Sequence, residues 1–493
     1  MSFPRRTDYR RARPNCRPVF IGCLLAALPA LQTPSVSQAV ELAIHPLCGS
    51  GAVLQQGRVI PIFGTADDGQ TVTVRFQDQQ RVTTAENGRW QVDMGPFRAG
   101  GPFTMQVATT RTVSASDVLV GEVWICAGDG NMQWQVLNST GSVEAMTARE
   151  NPQVRFFTVR REAAADPISW NAAFWTPAGA GSVGVFSAVG YHFGRELQRK
   201  LQVPIGLIAC NHHHATAASF ISRNTLAADP ELKSILDDEP PNPAVASTPT
   251  VLYNGMAHGM LKYAGRGVVW YAGQNELDHA YRHRRVLAAL IADWRTAAGN
   301  ETMPFLIVQA APFGGLPERG TGVSRLAELR DSQMWVWRNT HHTAMIVATD
   351  FGSRYELHPR EKPPVGARLA LAARAVAYGE ALEYSGPVYR AQSIDGSRVR
   401  LELDHVGTGL ETPTAELRGF TVAGADRVFK PAKATIEGNA VVVQSDAVPA
   451  PKAVRFGWAD YPDLNFRNRE GLPASPFRTD DFPVSTTPVD VAQ

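Results

Sequence analysis

Cysteine is scarce in this chain. There are five in 493 residues, and two of them, Cys16 and Cys23, fall within the first 39. The other three, Cys48, Cys126 and Cys210, have no close spacing. That argues against a disulfide framework and against a cysteine-based zinc motif, and leaves one bridge open. Charge is sparse as well, at 19% of residues, and nearly balanced at a formal +2. Such a chain, with no basic stripe, is not built to hold nucleic acid. No apolar run reaches the ~20 residues that a membrane-spanning helix needs, so no integral span is expected. Neither an internal repeat nor a low-complexity tract is present, and no block has a disordered composition. With 44% hydrophobic residues the chain is long enough for two or three packed domains.

What is present begins with a processing signal. Arg5, Arg6, Arg10, Arg11, Arg13 and Arg17 precede an apolar run from Val19 to Leu31 and a small-residue site at Ser37-Gln38-Ala39. Residues 1–39 therefore read as a secretory signal peptide, and the mature protein as periplasmic or secreted. Arg5-Arg6 is a partial match to a twin-arginine signal. Gly22-Cys23 is a partial match to a lipoprotein site, but apolar residues continue past Cys23. The segment holds six arginines and one aspartate, so its removal takes the formal charge from +2 to −3.

Three blocks follow. Over 40–115 short alternating runs such as Val59 to Phe63 and Thr71 to Phe76 are separated by turns, the mark of an antiparallel β-domain. Over 116–383 strands and helices alternate, which implies a parallel doubly wound sheet with one active edge. Its strand candidates are Leu119 to Cys126, Ile205 to Cys210, Val268 to Ala272, Phe305 to Ala310 and Met345 to Thr349. Helical spacing is found from Phe186 to Leu201, from an expected cap at Asp278 to Ala297, and from Gly366 to Tyr378. Over 384–487 the period returns to two, which predicts a C-terminal β-rich domain, and the tail after Asp481 is expected to fray.

The chain is organised around Leu119 to Trp134, a buried strand that ends in the turn Ala127-Gly128-Asp129-Gly130-Asn131. Parallel sheets place their sites at the carboxyl ends of strands. The residues after each core strand are then the pocket candidates: Asp129, Gly130 and Asn131; His212, His213 and His214; Gln274, Asn275 and Glu276; and Asp350, Glu356 and His358. Trp134, just past the first turn, is a candidate lining residue, while Trp124, Trp270, Trp335 and Trp337 read mainly as packing. His279, His283, His341 and His342 read as solvated positions.

The run Gly121-Glu-Val-Trp-Ile-Cys-Ala-Gly-Asp-Gly-Asn-Met-Gln-Trp134 resembles the first block of the sialate O-acetylesterase family, SGNH-type hydrolases that typically read GxVWxCSGQSNMxW. The resemblance continues through Pro204 to Ile208, Leu252 to Met256, Val268 to Gly273, Leu357 to Pro359 and Gly471 to Asp481. It implies an α/β fold, an SGNH-like αβα sandwich with a parallel sheet flanked by N-terminal and C-terminal β-rich domains. It implies O-acetylated carbohydrate as the partner, and no cofactor.

The family's nucleophilic serine falls on Gly130. The resemblance makes His358 the base, with Glu356 or Asp350 as its orienting carboxylate, and Asp129, Asn131, His213, Asn275, Glu276 and Trp134 the oxyanion and substrate pocket. The family's Trp-Gly-Gly-Thr block is His212-His213-His214-Ala215 here. Its GESN block is Gly273-Gln274-Asn275-Glu276, and an ionised Glu276 would repel an oxyanion. One lost oxyanion donor lowers turnover ~10²–10³-fold and a lost nucleophile ~10⁶-fold, so serine-type hydrolysis is expected to be impaired. Two alternatives stay open. His212, His213, His214, Asp129, Glu276 and His358 form a divalent-metal set that would activate water. Ser219 or Ser222 would supply an unrecognised nucleophile.

Overall fold

The computed structural model describes residues 40–169, 173–238, 242–263, 265–314, 323–414 and 416–488. The expected signal peptide, 1–39, lies outside the described residues. Among these, no helix is long and apolar enough to cross a membrane.

The strand Thr112–Gly128 is the spine. From Val118 onward its side chains are buried on both faces, as a central strand of a covered parallel sheet requires. Across the central sheet the order is Trp175–Ala178, Asn151–Thr158, Ile205–Asn211, Thr112–Gly128, Gly267–Tyr271, Phe305–Val308 and Thr343–Ile346. All neighbours run parallel except the first pair, which is antiparallel. Asn151–Thr158 and the edge strand Trp175–Ala178 extend the sheet beyond what the sequence pattern indicates.

Alternation along the spine separates two cores. Trp124 and Cys126 join the layer containing Val189, Phe193, Leu369 and Ala373, from helices Ala188–Leu201 and Lys362–Val376. Val123, Ile125 and Ala127 join the layer containing Trp270, Leu290 and Trp294, the last two from helix His283–Ala297. Each such aliphatic or aromatic side chain contributes about 1.5–3 kcal/mol on burial. The result is the expected αβα sandwich. Cys126 and Cys210 are the buried strand ends the sequence indicates, and with Cys48 they are free thiols. Burial pushes Cys48 and Cys126 up to about 12.

Local capping moves some boundaries. Ser187 caps Ala188–Leu201 by accepting from the Gly190 amide at 3.1 Å. Asp278 caps nothing: its carboxylate pairs with Arg325, a 3₁₀ turn spans Gln274–His279, and the α-helix begins only at His283.

Before the spine, strands Ile60–Thr65 and Arg89–Met94 pair antiparallel, as do Thr71–Phe76 with Gln79–Thr84 and Gly100–Ala108. Gly100–Ala108 then pairs with the first half of the spine, so the N-terminal β part and the α/β part share one strand. After Val388, two four-stranded antiparallel sheets enclose a separate core with Leu401, Phe420, Val443 and Phe456. The tail is not frayed at its start. Glu328 accepts from the amides and hydroxyls of Ser485 and Thr486 at 2.6–3.0 Å, which fastens it to the helix Arg325–Asn339.

Candidate functional site

Register builds the site. Gly128 pairs with Asn211 on one side and Tyr271 on the other, so three strands end level and their following turns lie together. Gly128 has φ +141°, and a Cβ there would overlap the Tyr271 carbonyl, so glycine is required.

Asp129 fixes the first turn. One carboxylate oxygen accepts from the Asn131 amide at 2.9 Å and the other from the Gly273 amide at 3.3 Å. Both oxygens are spent on joining two turns. Burial pushes the carboxyl up to about 6, against the pull of those amides and of Lys362, while Glu276 adds to the rise.

Asn131 is also fully engaged. Its Nδ2 donates to Gln274 Oε1 at 2.7 Å, and its Oδ1 accepts from Lys362 Nζ at 2.6 Å. Lys362 opens the helix Lys362–Val376, is 1% exposed, and lies 5.1 Å from the Tyr271 ring centroid. Burial pulls its ammonium down to about 7, opposed by Asp129 and Glu361. Lys362 lies three residues beyond the Leu357 to Pro359 match. Its burial is what distinguishes it, and no local pattern reports that.

The structure does bring Gly130, His213, His358 and Trp134 together. The His358 ring stacks on Trp134 with centroids 5.3 Å apart and planes 16° apart, and tilts against His213 at 5.4 Å. A Cβ added to Gly130 would overlap His358 Nε2 and come 2.6 Å from His213 Nδ1. Burial, then the charges of Lys362, His213 and His214, hold the His358 imidazole down to about 4. The ring therefore favours its neutral form.

The carboxylates expected to orient it are engaged elsewhere. Glu356 is exposed and pairs with Arg360 at 3.4 Å. Asp350 makes a two-pronged pair with Arg368 at 2.8 and 2.6 Å. A guanidinium fork matches a carboxylate better than an imidazole does, and each acid has one close by. No hydrogen bond to the His358 ring occurs among the described residues.

Glu276 is buried but turns away from Gly130. Its two oxygens take short hydrogen bonds from the Ala217 amide and from Nδ1 of His283. Burial alone would raise this carboxyl. The charge and hydrogen bond of His283, the Ala217 amide and Arg282 together hold it below its usual value. His283, read from sequence as solvated, is fully buried, whereas His279, His341 and His342 are exposed as expected. A 3₁₀ turn lies between Glu276 and His283, so no helical spacing reveals the pair.

The histidine tract leaves the second strand under backbone control. The His212 amide donates to the Gly128 carbonyl at 3.1 Å and the His213 amide to Gln133 Oε1 at 2.6 Å. The rings of His213 and His214 lie 4.0 Å apart. The tract, Asn275 and residues 244–247 line an open cleft of about 570 Å³. Asn275 Nδ2 donates to the Ala215 carbonyl at 2.9 Å.

The six-residue metal set is not assembled. Asp129 is committed to two amides and Glu276 to His283 and Ala217. Among the described residues no three His, Cys, Asp or Glu side chains gather closely enough to hold a metal ion. Neither alternative serine reaches Gly130. Ser219 is fully buried and donates to the Thr216 carbonyl at 2.7 Å, and Ser222 caps the helix Arg223–Ala228 and donates to Asp293 at 2.7 Å. What the cleft offers is therefore imidazole rings, a hydroxyl and an amide group, suited to hydrogen-bonding a polar ring.

Residues 120–374 match the family model described as carbohydrate esterase, sialic acid-specific acetylesterase. Human sialate O-acetylesterase is 31% identical over 413 residues, covering 73% of this chain and 76% of that protein. The rat sialate O-acetylesterase is 29% identical over 496 residues, covering 85% and 90%. Among solved structures, a carbohydrate acetylesterase from Xanthomonas citri superposes with a TM-score of 0.83 at 36% identity, covering 89% of this chain and all of that one. The extent of these matches spans the spine, the three turns and the His358 loop, and the chain belongs to the sialate O-acetylesterase family of carbohydrate esterases.

Proposed function

We propose that this chain is an exported, glycan-directed member of the family whose serine mechanism is disabled: it binds O-acetylated carbohydrate and keeps at most residual hydrolysis. The observation that carries this reading is the placement of His358 Nε2 against Gly130, which has no hydroxyl, with Glu356 and Asp350 paired to arginines and no hydrogen bond to the imidazole among the described residues. Gly130 stands at the nucleophile's place in the motif, and Glu276 stands where the motif has an amide donor. A lost nucleophile lowers turnover about 10⁶-fold, and binding with the remaining oxyanion donors retains roughly 10³–10⁴ over water.

The substrate class is supported by family membership and by the polar, histidine-lined cleft. Export to the periplasm or the medium is supported by the basic, apolar and small-residue order of residues 1–39. Calorimetric titration of the mature chain with an O-acetylated sugar, beside an acetate-release assay, tests the reading. Binding with release at background is expected, and ordinary turnover in the presence of chelator would overturn it. Cell fractionation tests export, with cytoplasmic retention as the contrary result.

A further inference from the structure

Beside the histidine cleft lies a second cavity of about 290 Å³, and the two share Ser247 and Asn275 in their walls. Its volume is at the lower end of the ~300–1,000 Å³ typical of small-molecule sites, room for one ring rather than a chain. Glu276 and His283 stand in its wall. Glu276 holds Nδ1 of the buried His283 ring, and Nε2 has no hydrogen-bond partner among the described residues. Buried polar atoms are ordinarily satisfied, so this one marks a place for a further hydrogen bond.

The charges there are balanced. Asp278 is paired with Arg325 and Glu276 with His283, which leaves one cation, Arg282, and one carboxylate, Asp238, without ion-pair partners in the wall among the described residues. One unpaired charge of each sign selects no ion. Together with the Ser247 hydroxyl and the apolar Ile235 and Val286, they match a neutral ring that presents hydroxyls as donors and acceptors and a C–H face.

We propose that this cavity is a second sugar subsite, which takes the residue next to the acetylated one, so that the ligand is an oligosaccharide rather than a free acetylated monosaccharide. The inference rests on the reading of the histidine cleft as the site of the acetylated sugar.

The test is calorimetric titration of the mature chain with two probes: O-acetylated N-acetylneuraminic acid as the free monosaccharide, and the same unit at the end of sialyllactose. The expected result is about tenfold or tighter binding of the trisaccharide, the size of one or two added hydrogen bonds. Arg282→Ala and Asp238→Asn, at a half-buried and an exposed position, should each shrink that ratio toward one. Equal affinities in the native chain, or a preference that neither variant changes, overturns the subsite. Failure of both probes to bind overturns the reading of the cleft and the subsite with it.

Discussion

His358 and Gly130 are in direct apposition: the imidazole Nε2 occupies the space that any side chain at 130 would enter, and His213 Nδ1 closes it from a second side at 2.6 Å from a Cβ there. The two rings lie beside each other over Gly130, with centroids 5.4 Å apart and planes tilted by 42°.

Gly130→Ser therefore has a double effect. The new side chain must shift both imidazoles, and because His213 is exposed and His358 half-buried the cost falls below the ~1–3 kcal/mol of overpacking a close-packed core. The serine would meet a base with no orienting carboxylate, because Asp350 and Glu356 are held by Arg368 and Arg360. The expected outcome is a lower melting temperature and a gain in acetate release far short of ~10⁶-fold. Thermal unfolding and an acetate assay on the same preparation check both halves.

Glu276→Ala should destabilise the fold by about 3–5 kcal/mol, because it leaves the buried His283 ring and the Ala217 amide without their acceptor. Glu276→Gln keeps an acceptor and should cost less. Denaturant unfolding of the two variants is the measurement, and equal stabilities would show that the pair is not the anchor described.

Lys362 gives the alkaline limb of stability a specific shape. Its ammonium is lowered from 10.5 to about 7 in the fold, so between those values the unfolded chain binds the extra proton. Raising the pH across that window then favours the folded state, and lowering it through the window removes that contribution. The Lys362→Met variant should lose the rise in stability between pH 7 and 10 that the native chain shows. Unfolding midpoints across that range read the difference directly.

His192 acts on the acid limb. It is 3% exposed, both ring nitrogens lack hydrogen-bond partners among the described residues, and burial, with the charge of Arg195, holds it down to about 4. Between about 4 and 6.5 the unfolded chain binds the proton that the folded chain refuses, so stability is lost as pH falls through that window. The loss from this residue is on the order of 3 kcal/mol, and His192→Phe should flatten the profile by that amount.

The sheet was legible because its strands are apolar runs bounded by turn residues, and Ile205–Asn211 and Gly267–Tyr271 lie within a residue or two of their expected limits. The helix Arg325–Asn339 was not legible. Its inward side carries Arg330 and Gln333, which donate to and accept from the ends of neighbouring elements, so the apolar period is broken where the helix is most buried. At the strand ends, Gly130, His213 and His358 lie against one another. Asp350 is claimed by Arg368 from a helix that reaches it by tertiary approach, whereas Glu356 is claimed by Arg360 four residues further along the same loop, a pairing local in sequence. Glu276–His283 and the buried Lys362 escaped because burial and pairing across turns leave no periodic trace.

The most direct measurement is acetate release by the unaltered mature chain, from an O-acetylated sugar and from a generic aryl acetate, with and without chelator. A serine mechanism disabled at Gly130 predicts release at background in every condition, alongside measurable binding of the sugar. Turnover at an ordinary enzymatic rate with chelator present would contradict it, and would require a nucleophile other than the one the motif places at 130.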